Sequence, residues 1–287
     1  MLFDLQNKLT EIPVSSPDFP TEWKGLPDCP TTLYALGNVS LLREEKLAVV
    51  GARRTPAHAL RLGTQIAKEL SLAFVILTGT ADGGDTAAIE GALQGTGRVI
   101  CLLAGGFSAL PQYNLSLLEK VTEKGLLLSP HPFETEVRAF SYEYRNKLIA
   151  ALSKGVLVLG AAEKSGALIT AKYAKSWQKP IFALPYAPGS AAGAGCNKLL
   201  KEGGYLTETA QDIASYYGIE LSLKKPQVVL SEDENKVYVA LKDCAEGHIS
   251  ELQIKAGIPS YKIRSVLSAL EVKGLAVNLG GNRYAPV

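Results

Sequence analysis

The stretch Phe140–Ala174, FSYEYRNKLIAALSKGVLVLGAAEKSGALITAKYA, decides the reading of this chain. Its first part, Phe140–Ser153, carries the apolar run Leu148-Ile149-Ala150-Ala151-Leu152 and predicts a helix. Lys154-Gly155 ends that helix, and Val156–Gly160 follows as a short segment apolar on both faces. Glu163-Lys164-Ser165-Gly166 is a turn, and Gly166–Gln178 a second helix. A strand apolar on both faces between two helices belongs to a parallel sheet covered on each side. Arg145-Asn146-Lys147 lies in the first helix, and Ser165-Gly166 opens the second. Cations beside a helix N-terminus suit a phosphate, because unpaired N–H groups and the macrodipole both favour an anion. No acid/base pair or metal cluster accompanies them, so the segment reads as built to hold an anion rather than to cut it.

The same alternation extends to both sides. Apolar runs at Leu47–Val50, Phe74–Thr78, Val99–Leu103, Leu126–Ser129 and Ile181–Leu184 read as further strands. Helical patterns at Ala57–Leu72, Asp85–Gln94 and Asn114–Glu123 separate them. The fold class is therefore α/β, a parallel sheet with helices on both faces, whose ligands gather at the carboxyl ends of the strands. Residues 1–45 are proline-rich and read as an extended lead-in packed on the core along the domain surface, with a short helix near Val39–Glu44. The core domain runs over 46–218, and 219–231, with Lys224-Lys225-Pro226, reads as a linker. The final unit, 232–287, opens on an acidic helix start, Glu232-Asp233-Glu234. Ser250-Glu251-Leu252-Gln253 reads as a capping box, and Ser260 as the cap of a third helix with apolar face Ile263, Val266, Leu267 and Leu270. Leu275–Leu279, Gly280-Gly281-Asn282 and Arg283–Ala285 then form a hairpin. Helices followed by a hairpin give the small C-terminal winged-helix pattern. Its acidic and basic residues balance, which makes it a weak DNA reader on charge alone.

Composition narrows the function. The 287 residues are 47% hydrophobic and 20% charged, the profile of an ordinary globular protein. A net charge of +2 confines any nucleic-acid site to a local patch. Cys29, Cys101, Cys196 and Cys244 form no C-x-x-C pair, and His58, His131 and His248 are as scattered, so reduced thiols and no zinc site are expected. The start MLFDLQNKLTEIP is no signal peptide, and no apolar run approaches the ~20 residues of a membrane span, which points to a cytoplasmic protein.

Other strand ends carry the remaining candidates. Val50-Gly51-Ala52-Arg53-Arg54 places a glycine for close backbone approach beside two arginines. Thr78-Gly79-Thr80-Ala81-Asp82-Gly83-Gly84-Asp85 is glycine-rich with two carboxylates. Asp85 reads as the cap of the helix starting at Thr86, and the acidic pair as repelling a phosphate. Gly193-Ala194-Gly195, before Asn197-Lys198, reads as a third backbone-exposing loop. Phe140, Tyr142 and Tyr144 offer faces on which bases could stack. There is no G-x-G-x-x-G and no P-loop.

In this order, these residues resemble the DNA-processing protein A (DprA/Smf) family. The resemblance is carried by Leu26-Pro27-Asp28, Pro30, Leu33-Tyr34 and Gly37-Asn38, by Val50-Gly51-Ala52-Arg53, and by the Thr78–Asp85 turn. It continues through Ala104-Gly105-Gly106 with Pro111 and Asn114, Arg145–Ser153, Ser165–Ala171, and Ser190 with Gly195-Cys196-Asn197. It spans nearly the whole chain, and so long an ordered series is highly specific. The resemblance implies an extended Rossmann-like domain that binds single-stranded DNA, forms a homodimer and helps load RecA recombinase in natural transformation. It implies no enzymatic activity, and no cofactor, metal or membrane partner is expected. The DNA-binding positions it implies, with the strand-end glycine and arginine added, are Gly51, Arg53, Arg54, Gly79, Arg145, Asn146, Lys147, Ser165 and Gly166. Phosphates are expected on Arg53 and Arg145, and a base near the strand ends.

The chain departs from the family pattern at several places. Ala52 and Thr78 stand where serine is usual, Asp82 where a non-acidic residue is, and Ala87-Ala88 where a histidine is expected. Pro130 and Gly160 replace glutamates, and Lys147 an arginine. These departures motivate an alternative, a diverged relative kept for protein contacts. A further alternative is an enzyme resembling the cytokinin-activating nucleoside-monophosphate phosphoribohydrolases. It lacks support here, because Gly105-Gly106-Phe107 does not supply their PGGxGT-x-x-E loop and Glu163 is the lone candidate acid.

Overall fold

Segments apolar on both faces can satisfy their backbone only as interior strands, and the apolar runs of this chain do so in a nine-stranded sheet. The computed structural model describes residues 6–221, 230–244 and 246–286. In chain order the first unit comprises β1 (Thr10–Pro13), α1 (Thr21–Lys24), β2 (Thr32–Gly37), β3 (Lys46–Val50), α2 (Ala57–Leu70), β4 (Val75–Thr78) and α3 (Gly84–Gln94). There follow β5 (Val99–Leu102), α4 (Leu115–Lys124), β6 (Leu126–Ser129), α5 (Ala139–Leu152), β7 (Val156–Val158) and α6 (Ala167–Ser176). The unit closes with β8 (Ile181–Ala183), α7 (Ala194–Lys201), β9 (Tyr205–Leu206) and α8 (Ala210–Tyr216). The strand order is β1-β2-β6-β5-β4-β3-β7-β8-β9. All pairings from β6 to β9 are parallel, whereas β1–β2 and β2–β6 are antiparallel.

Strand β3 lies between β4 and β7, with Ala48 in register with both Leu77 and Val156. Residues alternate across it. Ala48 and Val50 join a core that includes Leu148–Leu152 of α5 and Ala167, Ala171 and Ala174 of α6. Leu47 and Val49 join the opposite core, with Ile66 and Leu70 of α2, Ala88 and Ala92 of α3 and Val121 of α4. The helices thus change faces between β3 and β7, which opens a crevice at the carboxyl ends of these strands.

The lead-in does more than pack along the core. It adds β1 and β2 to the sheet edge and inserts Trp23, 0% exposed, whose Nε1 donates to Leu148 O at 3.0 Å. Proline breaks helices but is tolerated at an edge strand, and Pro13 ends β1 there. Gly193–Gly195 is not a loop either. Gly193 caps α7, and Asn197 on that helix donates to Tyr186 O at 2.9 Å and accepts from Tyr186 N at 3.1 Å.

The chain divides into two units at residue 222, and the expected linker motif Lys224-Lys225-Pro226 lies outside the described residues. The second unit contains α9 (Glu232–Cys244), β10 (Gly247–His248), α10 (Ile249–Ala256), α11 (Ser260–Val272), β11 (Ala276–Gly280) and β12 (Arg283–Pro286). Its sheet has the order β10-β12-β11, and the short first strand was not expected. Val237, Leu241, Leu252, Ile263, Leu267 and Leu270 fill its core. Gly281 and Asn282, with φ of 56° and 61°, make the two-residue hairpin turn that a right-handed strand twist favours. Two caps differ from expectation. His248, not Ser250, caps α10 by accepting from Ser250 N, and Ser260 is the first residue of α11 rather than its cap.

Candidate nucleic-acid interface

A cleft of 280 Å³ opens at the carboxyl ends of β3 and β7. Its walls come from separate elements: Gly51–Arg53 after β3, Ala81 and Asp85 after β4, Tyr142, Arg145 and Asn146 on α5, and Ser165–Ala167 with Thr170 on α6. The sheet topology therefore brings together residues up to about 120 positions apart, as expected at a switch point.

The floor of the cleft is an ion pair. Arg145 Nη1 donates to Asp85 Oδ2 at 3.1 Å, and both side chains are under a tenth exposed. Asp85 also accepts from Ala81 N at 3.2 Å. It is therefore not a helix cap: α3 begins at Gly84, and the carboxylate is turned toward Arg145. Gly79 exists for the same reason, because a Cβ there would lie 1.0 Å from Arg145 Nη1. Gly51 meets backbone rather than ligand, since a Cβ on it would lie 2.9 Å from Gly84 Cα. Gly83, with φ of 81°, turns the chain beside Ala52 O, which a Cβ would approach to 2.5 Å.

This geometry revises the expected electrostatics. Asp82 is exposed, accepts from Gly83 N at 2.8 Å and is not part of the wall, so it places no charge in the cleft. Asp85 is neutralised by Arg145, and Arg145 in turn cannot offer a free charge to a phosphate. At the rim stands Arg53, exposed, without an ionic partner among the described residues and placed over the Tyr142 ring at 5.8 Å. Arg54 is exposed beside it but does not line the cleft.

The α6 side of the cleft is backbone. Gly166 is exposed and has nothing within 4 Å of a Cβ position, so the start of this helix is sterically open at the cleft, although the N–H groups of Ser165, Ala167, Leu168 and Ile169 donate within the turn. Asn146 Nδ2 donates to Gly166 O at 3.1 Å and ties the two helices together, while Ser165 Oγ accepts from Ala167 N at 3.3 Å. Thr170, absent from the sequence-based candidates, lines the cleft one turn further on. Its Oγ1, like Arg145 Nε, is buried without a hydrogen-bond partner among the described residues. The spacing from Gly166 to Thr170 puts both on one helix face, which was the signal for it.

Lys147 is not at the cleft. It pairs with Asp28 Oδ1 on the other side of α5. Phe140 and Tyr144 face that side as well, which leaves Tyr142 as the aromatic residue at the cleft. Gly160, where the family pattern has glutamate, has no room for a side chain: a Cβ would come within 2.6 Å of Thr55 Oγ1 and 2.8 Å of the Tyr186 hydroxyl. Among the described residues no group of His, Cys, Asp and Glu could hold a metal ion.

Fold and site together define an α/β protein with a small cleft at the switch point of its sheet. The model of the DNA recombination-mediator protein A family matches residues 11–218, and the chain belongs to that family. It is 34% identical to the DNA processing protein DprA of Bacillus subtilis over 208 residues, 71% of this chain and 70% of that protein. Its structure is similar to that of DprA from Streptococcus pneumoniae, with a TM-score of 0.69 and 29% identity over 76% of this chain and 77% of that one. It is also similar to a structure of Helicobacter pylori DNA processing protein A whose single-stranded DNA binding mode has been described. There the TM-score is 0.67 at 28% identity over 73% of this chain and 95% of the other. No described helix is long and apolar enough to cross a membrane.

Proposed function

We propose that this chain binds single-stranded DNA at the switch-point cleft and acts as a non-enzymatic recombination mediator. The observation that carries this reading is the pairing of an open helix N-terminus at Gly166 with a rim arginine, Arg53, stacked on Tyr142. Phosphate contacts fall to Arg53 and Arg54, to the backbone N–H of Gly166 and to the Ser165 hydroxyl. Arg145, Asn146, Gly51 and Gly79 shape the cleft for one base, and Tyr142 supplies a stacking face. A volume of 280 Å³ suits one nucleotide unit and not a duplex. The H. pylori relative's single-stranded DNA supports the reading. RecA loading in natural transformation, a homodimeric assembly, a cytoplasmic location and a winged-helix role for residues 232–287 complete the proposal by family analogy.

The test is an anisotropy titration of oligo-dT and of duplex DNA at two salt concentrations. Single strands should bind more tightly, with a steep fall in salt. Arg53→Ala should weaken single-strand binding about tenfold and lower the salt slope by about one. Equal binding of duplex, or unchanged affinity in Arg53→Ala, rejects the cleft as the site.

A further inference from the structure

Helix α5 separates the cleft from a second concavity, a groove of 680 Å³ on its opposite side. Phe140, Glu143, Tyr144 and Lys147 from the helix face Asp28 of the lead-in and Tyr173 of α6 across it. The proposed DNA site uses none of these residues; Lys147, a sequence-based candidate for it, lies here instead. Phe140 is 66% exposed, an aromatic ring that the core does not need.

Charge and chemistry of this groove differ from those of the cleft. Its ionic groups are Asp28, Glu143 and Lys147, and Lys147 is already held by Asp28. Glu143 accepts from the Tyr173 hydroxyl at 3.1 Å. The Tyr144 hydroxyl, which donates to Asp28 O at 2.8 Å, is pushed up to about 12 by burial and then by Asp28 and Cys29. Tyr173 is raised by burial, by its hydrogen bond to Glu143 and by the charges of Glu143 and Asp28. The groove is therefore a net-negative site floored by aromatic rings, which attracts a cation and repels a phosphodiester. His131 packs on Tyr144 with ring centroids 5.8 Å apart and keeps a buried Nε2 without a partner among the described residues.

We infer that this groove docks a segment of a protein partner in which an arginine or lysine is flanked by apolar residues. The cation sits between Glu143 and the aromatic faces, and the apolar neighbours cover Phe140. Aromatic anchors with a complementary charge are the usual centre of such interfaces. The inference is independent of the cleft: it assigns the opposite side of the same helix to protein, whatever the cleft holds.

The test uses the full chain and two fluorescein-labelled peptides, one alternating leucine with arginine and one leucine with glutamate. Anisotropy should show binding of the arginine peptide only. Phe140→Ala and Glu143→Gln, both at exposed positions, should each weaken it about fivefold or more. Arg53→Ala should leave it unchanged. Comparable binding of the glutamate peptide, or indifference of the arginine peptide to both substitutions, overturns the inference. So does a loss of oligo-dT affinity in Phe140→Ala, which would give the groove to DNA. Loss of oligo-dT binding in Arg53→Ala alone reports on the cleft and is read separately.

Discussion

Arg145 and Lys147 stand two positions apart on one helix and end in different worlds. Arg145 is buried at the floor of the cleft, locked to Asp85, while Lys147 reaches the opposite groove and pairs with Asp28. Residues two apart on a helix point about 200° apart, so no single ligand could have used both. The difference teaches that a cationic tripeptide in sequence is not a cationic patch in space. One cation builds the cleft wall, the other belongs to a different surface, and the charge available to a phosphate comes from Arg53 on another loop.

The contrast can be broken most forcefully at the buried pair. Asp85→Ala strands the Arg145 charge in the interior and should cost about 3–5 kcal/mol of stability, read as a lowered thermal midpoint. Arg145→Ala should destabilise similarly, so lost DNA binding in that variant reports folding unless the melt is intact. Gly79→Ala drives a methyl into the guanidinium and should cost about 1–3 kcal/mol, with the cleft distorted. By comparison Gly166→Ala, where nothing lies within 4 Å, should melt with the parent, so any lost affinity for oligo-dT reports the cleft mouth. Lys147→Ala removes a partly exposed ion pair worth about 0–1 kcal/mol and should leave oligo-dT binding intact. An affinity loss there matching that of Arg53→Ala would erase the distinction between the two sides of α5.

The smallest expected effect is a pH dependence on the groove side. Burial lowers the His131 pKa below the ordinary 6.5, so the folded chain holds the neutral ring and the unfolded chain takes up the proton first. Stability present above that value should therefore decline as pH falls below it. His131→Gln should flatten this slope in denaturant midpoints, provided the other groups titrate unchanged.

Much of the fold was legible because its strands are apolar on both faces and its helices carry regular breaks. The runs at 46–50, 75–78, 99–102, 126–129, 156–158 and 181–183 lie within a residue or two of their expected bounds. The edges were not legible. Thr10–Pro13 and Thr32–Gly37 join the sheet through the antiparallel pairing of Tyr34 with Ser129, a partner nearly a hundred residues away. Strand β9, Tyr205–Leu206, is too short and exposed to show a period. Within the cleft, glycine-rich turns announced a close approach but not its object. Gly79 yields to Arg145 and Gly51 to Gly84, where ligand had been the natural expectation.

The sequence by itself determined the alternation of strands and helices, the carboxyl-end placement of the glycine turns and membership of the mediator family. The first two rest on periodicity and local order, and the third on an ordered series of motifs shared with the family, all of which a linear string carries. Only the tertiary structure decided that Asp85 pairs with Arg145 across 60 residues, that Asp82 stays out of the cleft, and that α5 carries two unlike surfaces. Such facts depend on which elements the sheet order brings into contact. Charge acts through distance and burial in space, and neither is written in the spacing of residues along the chain.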